Sequence, residues 1–242
     1  MPWMGALSSL WNSKKLYNFP GLGGWSGSGI CLVCGGLDAN AQCVCDACLA
    51  DFPIRTTTKL TRTIVAVDVA FAAYRYEFPI TSLVKCTKFH MDLGALAALQ
   101  IGFARAFMHH LGEIDFLVPV PLSPRRFLNR GFNQAGELAR YLGNASGKPV
   151  RYDLVRRWHS GGGGAPQSLL GAAARRENTR GVFHTTAVLG GERVALVDDV
   201  ITTGATCSSL AETLRAAGAA RIICLATAAT PRRQAEGKLS LD

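Results

Sequence analysis

The sequence predicts an α/β domain built on a mostly parallel sheet flanked by helices, with a small cysteine-rich module ahead of it. Three observations within its 242 residues carry that reading. The first is Val194-Ala-Leu-Val197, short, apolar and rich in β-branched residues, the pattern of a strand buried on both faces of a parallel sheet. It runs through Asp198-Asp199 and a hydroxyl-rich loop into helical periodicity from Cys207 to Ala217. The second is the recurrence of such runs at Asp115 to Pro121 and Ala220 to Ala228, with helix-spaced apolar residues between them. The third is a pair of Cys-x-x-Cys sequences, Cys31/Cys34 and Cys45/Cys48.

At 48% apolar residues the chain can bury a real core. No apolar run reaches the ~18 residues of a membrane span. Near the N-terminus Trp, Pro and Gly interrupt any signal-peptide core, so a cytoplasmic protein is expected. The formal charge of +9 and pI near 9.4 describe a surface that attracts anions: phosphorylated small molecules, nucleic acid or an acidic membrane face. Because the arginines lie in dispersed pairs, a solvated basic surface accounts for the charge equally well.

In chain order, residues 1–29 are Gly/Ser-rich at their end and carry scattered tryptophans, the composition of a poorly ordered extension. Residues 30–53 hold five of the eight cysteines. Two closely spaced Cys-x-x-Cys pairs can turn four thiolates toward one point, so Cys31, Cys34, Cys45 and Cys48 are read as a closed, structural zinc shell, with Cys43 a bystander or alternative ligand. A domain over residues 60–230 opens with Ile64 to Glu77, a strand or two strands joined by a turn. Pro79 then introduces helices over Ile80 to Lys88 and Leu93 to Leu111. Lys85, Lys88 and His90 lie between them, where a lysine could reach a diphosphate or simply end a helix in solvent.

Asp115-Phe-Leu-Val-Pro-Val-Pro121 is a buried strand that its prolines must stop. Arg125, Arg126 and Arg130 follow on what reads as a loop, able to grip pyrophosphate oxygens in fork geometry or merely to coat the surface. A helix then runs to about Leu142. Gly161 to Gly164 cannot hold regular structure and read as a mobile loop. Gln167, Arg175, Arg176 and Asn178 come next on a short helix, Val182 to Thr185 extends, and residues 231–242 form a polar tail.

The chemistry concentrates after Val197. Thr202, Thr203 and Thr206 supply hydroxyl donors, Gly204 permits backbone approach, and a helix beginning there points free N–H groups and a positive dipole end at an anion. Carboxylates repel phosphate, so Asp198 and Asp199 are better placed to accept hydrogen bonds from two sugar hydroxyls. One ligand with both groups is a phosphorylated ribose. An ordinary capped turn would not need the whole run. No Gly-x-Gly-x-x-Gly dinucleotide loop and no Gly-Lys-Ser/Thr phosphate loop follows any strand.

Asp198-Asp-Val-Ile-Thr-Thr-Gly-Ala-Thr206 resembles the PRPP-binding motif of type I phosphoribosyltransferases. Together with the double Cys-x-x-Cys module, Lys88-Phe89, Val118-Pro-Val-Pro-Leu122, Arg130-Gly-Phe-Asn-Gln-Ala135 and the Gln167 to Phe183 segment, it is similar to the ComF family of competence-associated proteins, also called GntX. The resemblance implies a type I phosphoribosyltransferase-like sheet, a structural zinc module and a role in DNA uptake during natural transformation. Two functions stay open. As an enzyme using PRPP with Mg²⁺, the protein would hold the ribose hydroxyls on Asp198 and Asp199 and the 5′-phosphate on Thr202, Thr203, Gly204, Ala205 and Thr206. The diphosphate would lie against Lys88, Val120, Arg125 and Arg126. As a binding protein it would keep the pocket and contact single-stranded DNA or competence proteins, with Phe127, Phe132 or Trp158 stacking on bases.

Overall fold

A computed structural model describes residues 29–39, 43–54, 59–60, 63–157, 182–185 and 187–231. The expected extension, the Gly161 to Gly164 loop, Gln167, Arg175, Arg176, Asn178, Trp158 and the tail lie outside the described residues. The chain divides into two units, residues 1–51 and 52–242.

In the first unit, Cys31 to Cys34 turns tightly and a short helix α1, Asp46–Ala50, starts directly after Cys45.

The second unit is built on four parallel strands: β1 Val69–Arg75, β2 Phe116–Pro119, β5 Arg193–Ile201 and β6 Arg221–Ala229, in the order β1-β6-β5-β2. A separate two-residue ladder pairs β3, Arg156–Arg157, antiparallel with β4, Phe183–His184. The helices are α2 Ile80–Phe89, α3 Leu93–Phe107, α4 Pro124–Arg130, α5 Gln134–Ser146 and α6 Ala205–Ala216.

The apolar stretches of both central strands, Val194 to Val197 and Ile222 to Ala226, are buried on both faces, as their composition requires. Val194, Leu196, Ile222 and Cys224 share a cluster with Leu210, Ala211 and Leu214 of α6. Their alternates Ala195, Val197, Ile223 and Leu225 are buried too. Burying each large aliphatic chain contributes about 1.5–3 kcal/mol. Pro119 closes β2, whose only strand neighbour among the described residues is β5, so its missing N–H interrupts no ladder between strands.

Two expectations shift. Arg125, Arg126 and Arg130 stand on helix α4, not on a loop. Ser123 caps it by accepting from the Arg126 N–H (3.4 Å), Pro124 fills its first turn, and Gly131 ends it at φ 71°. The strand holding the acids is also longer than its apolar part: β5 continues through Asp198 and Asp199 to Ile201, because Asp198 and Val200 keep pairing with Ala226 and Ala228. From Ile64 to Glu77 a single strand, β1, follows a turn at Val65-Ala66.

Candidate functional site

Parallel strands place their carboxyl ends on one sheet edge, and ligands bind in the crevice there. At that edge lies a cavity of about 330 Å³ lined by Asp198 and Asp199 from the end of β5, Thr202 and Thr203 from the loop after it, and Ala205 and Thr206 from the first turn of α6. Val120, Pro121 and Leu122 after β2 face them, as do Lys88 of α2, Arg126 and Arg130 of α4, and Arg157 of β3. The Val120 loop is held in place from two directions. Its N–H donates to Val197 O (2.9 Å), and its carbonyl accepts from Asn133 Nδ2 (3.0 Å). The other amide atom, Asn133 Oδ1, is buried without a hydrogen-bond partner among the described residues, while Asn133 itself lines the cavity. A buried acceptor of this kind suits a hydroxyl or water donor.

The two acids differ. Asp198 Oδ1 accepts from the Asp199 N–H (2.8 Å) and its Oδ2 receives the Cys207 thiol (3.7 Å). Burial, and next the charge of Asp199, push the Asp198 carboxyl up to about 7 against the opposing pull of Lys88. Asp199 accepts from the Val200 N–H (2.6 Å) and pairs with Lys88 Nζ at 2.6 Å. Lys88 is positioned by the end of α2, where Gln134 Nε2 donates to the neighbouring Thr87 carbonyl (3.1 Å).

Gly204 stands at φ 80° before α6, and a Cβ there would come within 2.9 Å of Ile64 Cγ1. With no side chain it cannot cap the helix, so the first turn presents its positive end to the cavity. Thr203 Oγ1 accepts the Ala205 N–H (3.3 Å) and fixes the loop.

Across the cavity the charge reverses. Burial lowers the guanidinium of Arg126 from its ordinary range, reinforced by Arg130 and opposed by Asp199 and Asp198. Arg157 is lowered in the same way by burial and by Arg126, and its guanidinium carbon lies 5.4 Å from the centre of the Phe183 ring. Cations gathered so that they repel one another in a partly dry space form a site that an anion relieves.

The structure thus brings together Asp198, Asp199, Thr202, Thr203, Ala205, Thr206, Lys88, Val120 and Arg126, with Gly204 as the hinge of the loop. Arg125 is exposed and outside the cavity lining; Arg130, the following turn along the helix, takes the inward place. Sequence reasoning missed Arg157 and Asn133. Arg157 had no local signal, since only its pairing with Phe183 directs it inward, whereas the side-chain amide in Gly-Phe-Asn-Gln could have flagged Asn133.

In the first unit, Cys31, Cys34, Cys45 and Cys48 bring their sulfurs within 4.8 Å of one another. Cys34 Sγ and Cys45 Sγ are 3.8 Å apart, matching the edge of about 3.8 Å in a tetrahedron with ~2.3 Å metal–sulfur bonds. The Val33 and Cys45 N–H groups donate to Cys31 Sγ (3.4 and 3.3 Å), and that of Gly36 to Cys34 Sγ (3.4 Å). Burial works against a Cys31 thiolate, but backbone donors, that of Cys34 foremost, bring it down to about 6. Burial and the neighbouring sulfurs push Cys48 up. Only a cation would favour four thiolates together, so the cluster could hold a metal ion. Cys43 is not among the four.

A family model for the phosphoribosyl transferase domain matches residues 126–239. Competence protein F of Haemophilus influenzae is 34% identical over 158 residues, covering 61% of this chain and 66% of that protein. DNA utilization protein YhgH of Escherichia coli O6:H1 is 31% identical with the same coverage, so the chain spans just under two thirds of these relatives. Among solved structures, a purine phosphoribosyltransferase from Pyrococcus horikoshii Ot3 shares 19% identity over 57% of this chain and 82% of that one. The TM-score of that match is 0.32. No helix among the described residues is long and apolar enough to cross a membrane.

Proposed function

For this chain, which belongs to the ComF family, we propose a role in DNA uptake and natural transformation through a cavity that binds PRPP or a closely related phosphoribosyl ligand. One observation supports it above the rest. The paired acids, the Thr202 to Thr206 loop at a helix N-terminus and the cations of α2, α4 and β3 line one cavity of about 330 Å³, within the ~300–1,000 Å³ typical of small-ligand sites. Asp198 and Asp199 accept the two ribose hydroxyls, the loop from Thr202 to Thr206 takes the 5′-phosphate, and Lys88, Val120, Arg126 and Arg130 border the diphosphate. Arg125 acts at longer range by charge.

Mg²⁺ bound with PRPP neutralises diphosphate charge. The chain's own contribution is to hold the sugar by its hydroxyls, to exclude water along the Val120 to Leu122 loop, and to release Lys88 from Asp199 as a sugar hydroxyl takes its place. An active phosphoribosyltransferase of nucleotide metabolism is the alternative within the same cavity. It is favoured by the groups that would stabilise a departing diphosphate, since positioning and charge supply most of such a rate. Single-stranded DNA and competence proteins are the macromolecular partners that the first reading proposes, and the cytoplasm is the compartment it proposes.

The Cys31, Cys34, Cys45 and Cys48 shell is proposed to hold structural zinc within residues 30–53, between an extension over 1–29 and the phosphoribosyltransferase-like domain over 60–230 with its tail over 231–242. Calorimetric titration of the zinc-loaded chain with PRPP and Mg²⁺ tests the cavity, with Asp198→Asn/Asp199→Asn as control. Binding by the wild type alone supports the reading, and a folded wild type that ignores PRPP refutes it. Release of pyrophosphate on adding bases would favour the enzyme.

A further inference from the structure

Helix α4 is ordered at both ends by the Ser123 cap and the Gly131 turn, yet none of its residues is buried. Its Phe127 and Leu128 are 49% and 82% exposed, and Phe89 and Met91, in and after the last turn of α2, are 71% and 55% exposed. The two segments are neighbours: Met91 Sδ lies 3.0 Å from where a Cβ on Gly131 would stand. Cations are interleaved with these apolar groups. Arg126, Arg130 and Lys88 line the cavity beside them, while Arg125 and Lys85 are exposed. Neither Lys85 to Met91 nor Pro124 to Gly131 contains a carboxylate.

We propose that this rim, formed by α4 and the end of α2, is a docking surface for single-stranded nucleic acid, with Phe89 and Phe127 as stacking platforms for bases. The proposal rests on the DNA-binding side of the function proposed above and gives it a place. The cavity cannot serve as that place. Its two acids call for two free hydroxyls on one sugar, and a nucleotide inside a DNA strand offers none, so a strand must run outside. Rings alternating with guanidinium and ammonium groups suit a chain of bases and phosphates. A duplex would hide the base faces. A membrane-surface helix needs an extended apolar stripe, which the seven residues of α4 do not provide.

The test uses the full chain and a fluorescein-labelled oligothymidylate of about twenty nucleotides, long enough for a site of ~4–16 nucleotides, followed by fluorescence anisotropy. The wild type is expected to bind it, with affinity falling as salt rises at a log–log slope of about 2 for three phosphate contacts. Phe89→Ala/Phe127→Ala should weaken binding roughly tenfold or more at unchanged thermal melting and unchanged PRPP titration. No wild-type binding, equal binding by the double variant, equal binding of a duplex, or capture by phosphatidylglycerol vesicles in place of the oligonucleotide would each overturn the proposal. Oligonucleotide binding that needs both rings in a protein blind to PRPP would support the rim and refute the cavity reading alone.

Discussion

The Lys88 ammonium lies 2.6 Å from an Asp199 carboxylate oxygen, with both side chains less than one-fifth exposed. This pair ties the end of α2 to the end of β5 and neutralises one of two adjacent acids. Removing the cation leaves Asp199 charged beside Asp198 in a poorly hydrated place. Lys88→Met should therefore lower the urea-unfolding free energy by about 1–3 kcal/mol, below the range for fully buried pairs because some solvent reaches this one. Lys88→Arg should recover part of the loss. A variant as stable as wild type at neutral pH would show that the pair does not hold these elements together.

The metal cluster makes a prediction about composition. Atomic emission should find one zinc per chain in wild type and a marked loss in Cys45→Ser. That substitution removes one of the four sulfurs while leaving the backbone N–H of position 45, which donates to Cys31 Sγ, in place. Chelation should abolish residual helix over Asp46–Ala50, since a structural site supplies folding energy directly. Zinc retained by Cys45→Ser at full stoichiometry would point to Cys43 as a substitute ligand.

The sheet and the acid-to-threonine loop were legible because they obey local rules: apolar strands of a parallel sheet, then hydroxyls at a helix start. The cysteine cluster was legible for the same reason, its geometry being set by spacing. What escaped depends on tertiary pairing. Arg157 reaches the cavity because its strand pairs with Phe183, twenty-six positions along the sequence. Arg130 displaces Arg125 from the cavity lining because Pro124 and Ser123 start a helix there, which changes which arginines share a face. The length of β5 was missed because polar Asp198 and Asp199 do not look like strand residues, although their ladder to β6 continues.

Gly204→Ala is expected to cost both stability and affinity. At φ 80° a side chain incurs about 1–2 kcal/mol of backbone strain, and the new methyl would meet Ile64 Cγ1 at 2.9 Å. Relief requires moving Ile64 or the loop, and the loop carries Thr202, Thr203 and Thr206. A lower thermal midpoint together with weaker PRPP binding is the expected result. Ile64→Ala in the same chain should recover some affinity by removing the clash, though not the strain. Unchanged binding by Gly204→Ala would exclude this loop from the phosphate site.

Asp198 gives stability and ligand affinity opposite pH dependences. Its carboxyl, raised to about 7 by burial and then by Asp199, titrates near about 3.9 in an unfolded chain. Between those values the folded protein keeps a proton that the unfolded chain has released. The stabilisation is therefore complete below about 3.9 and is lost as pH rises through about 7. A ribose hydroxyl donates more strongly to an ionised carboxylate than to a neutral acid, so PRPP should bind more tightly over the upper part of the same window. Asp198→Asn should flatten the stability profile while keeping the side-chain volume, and should lose PRPP binding at every pH. Urea unfolding and calorimetric titration on each side of neutrality measure both slopes. Affinity that stays level while stability falls would mean that Asp198 ionises without touching the sugar.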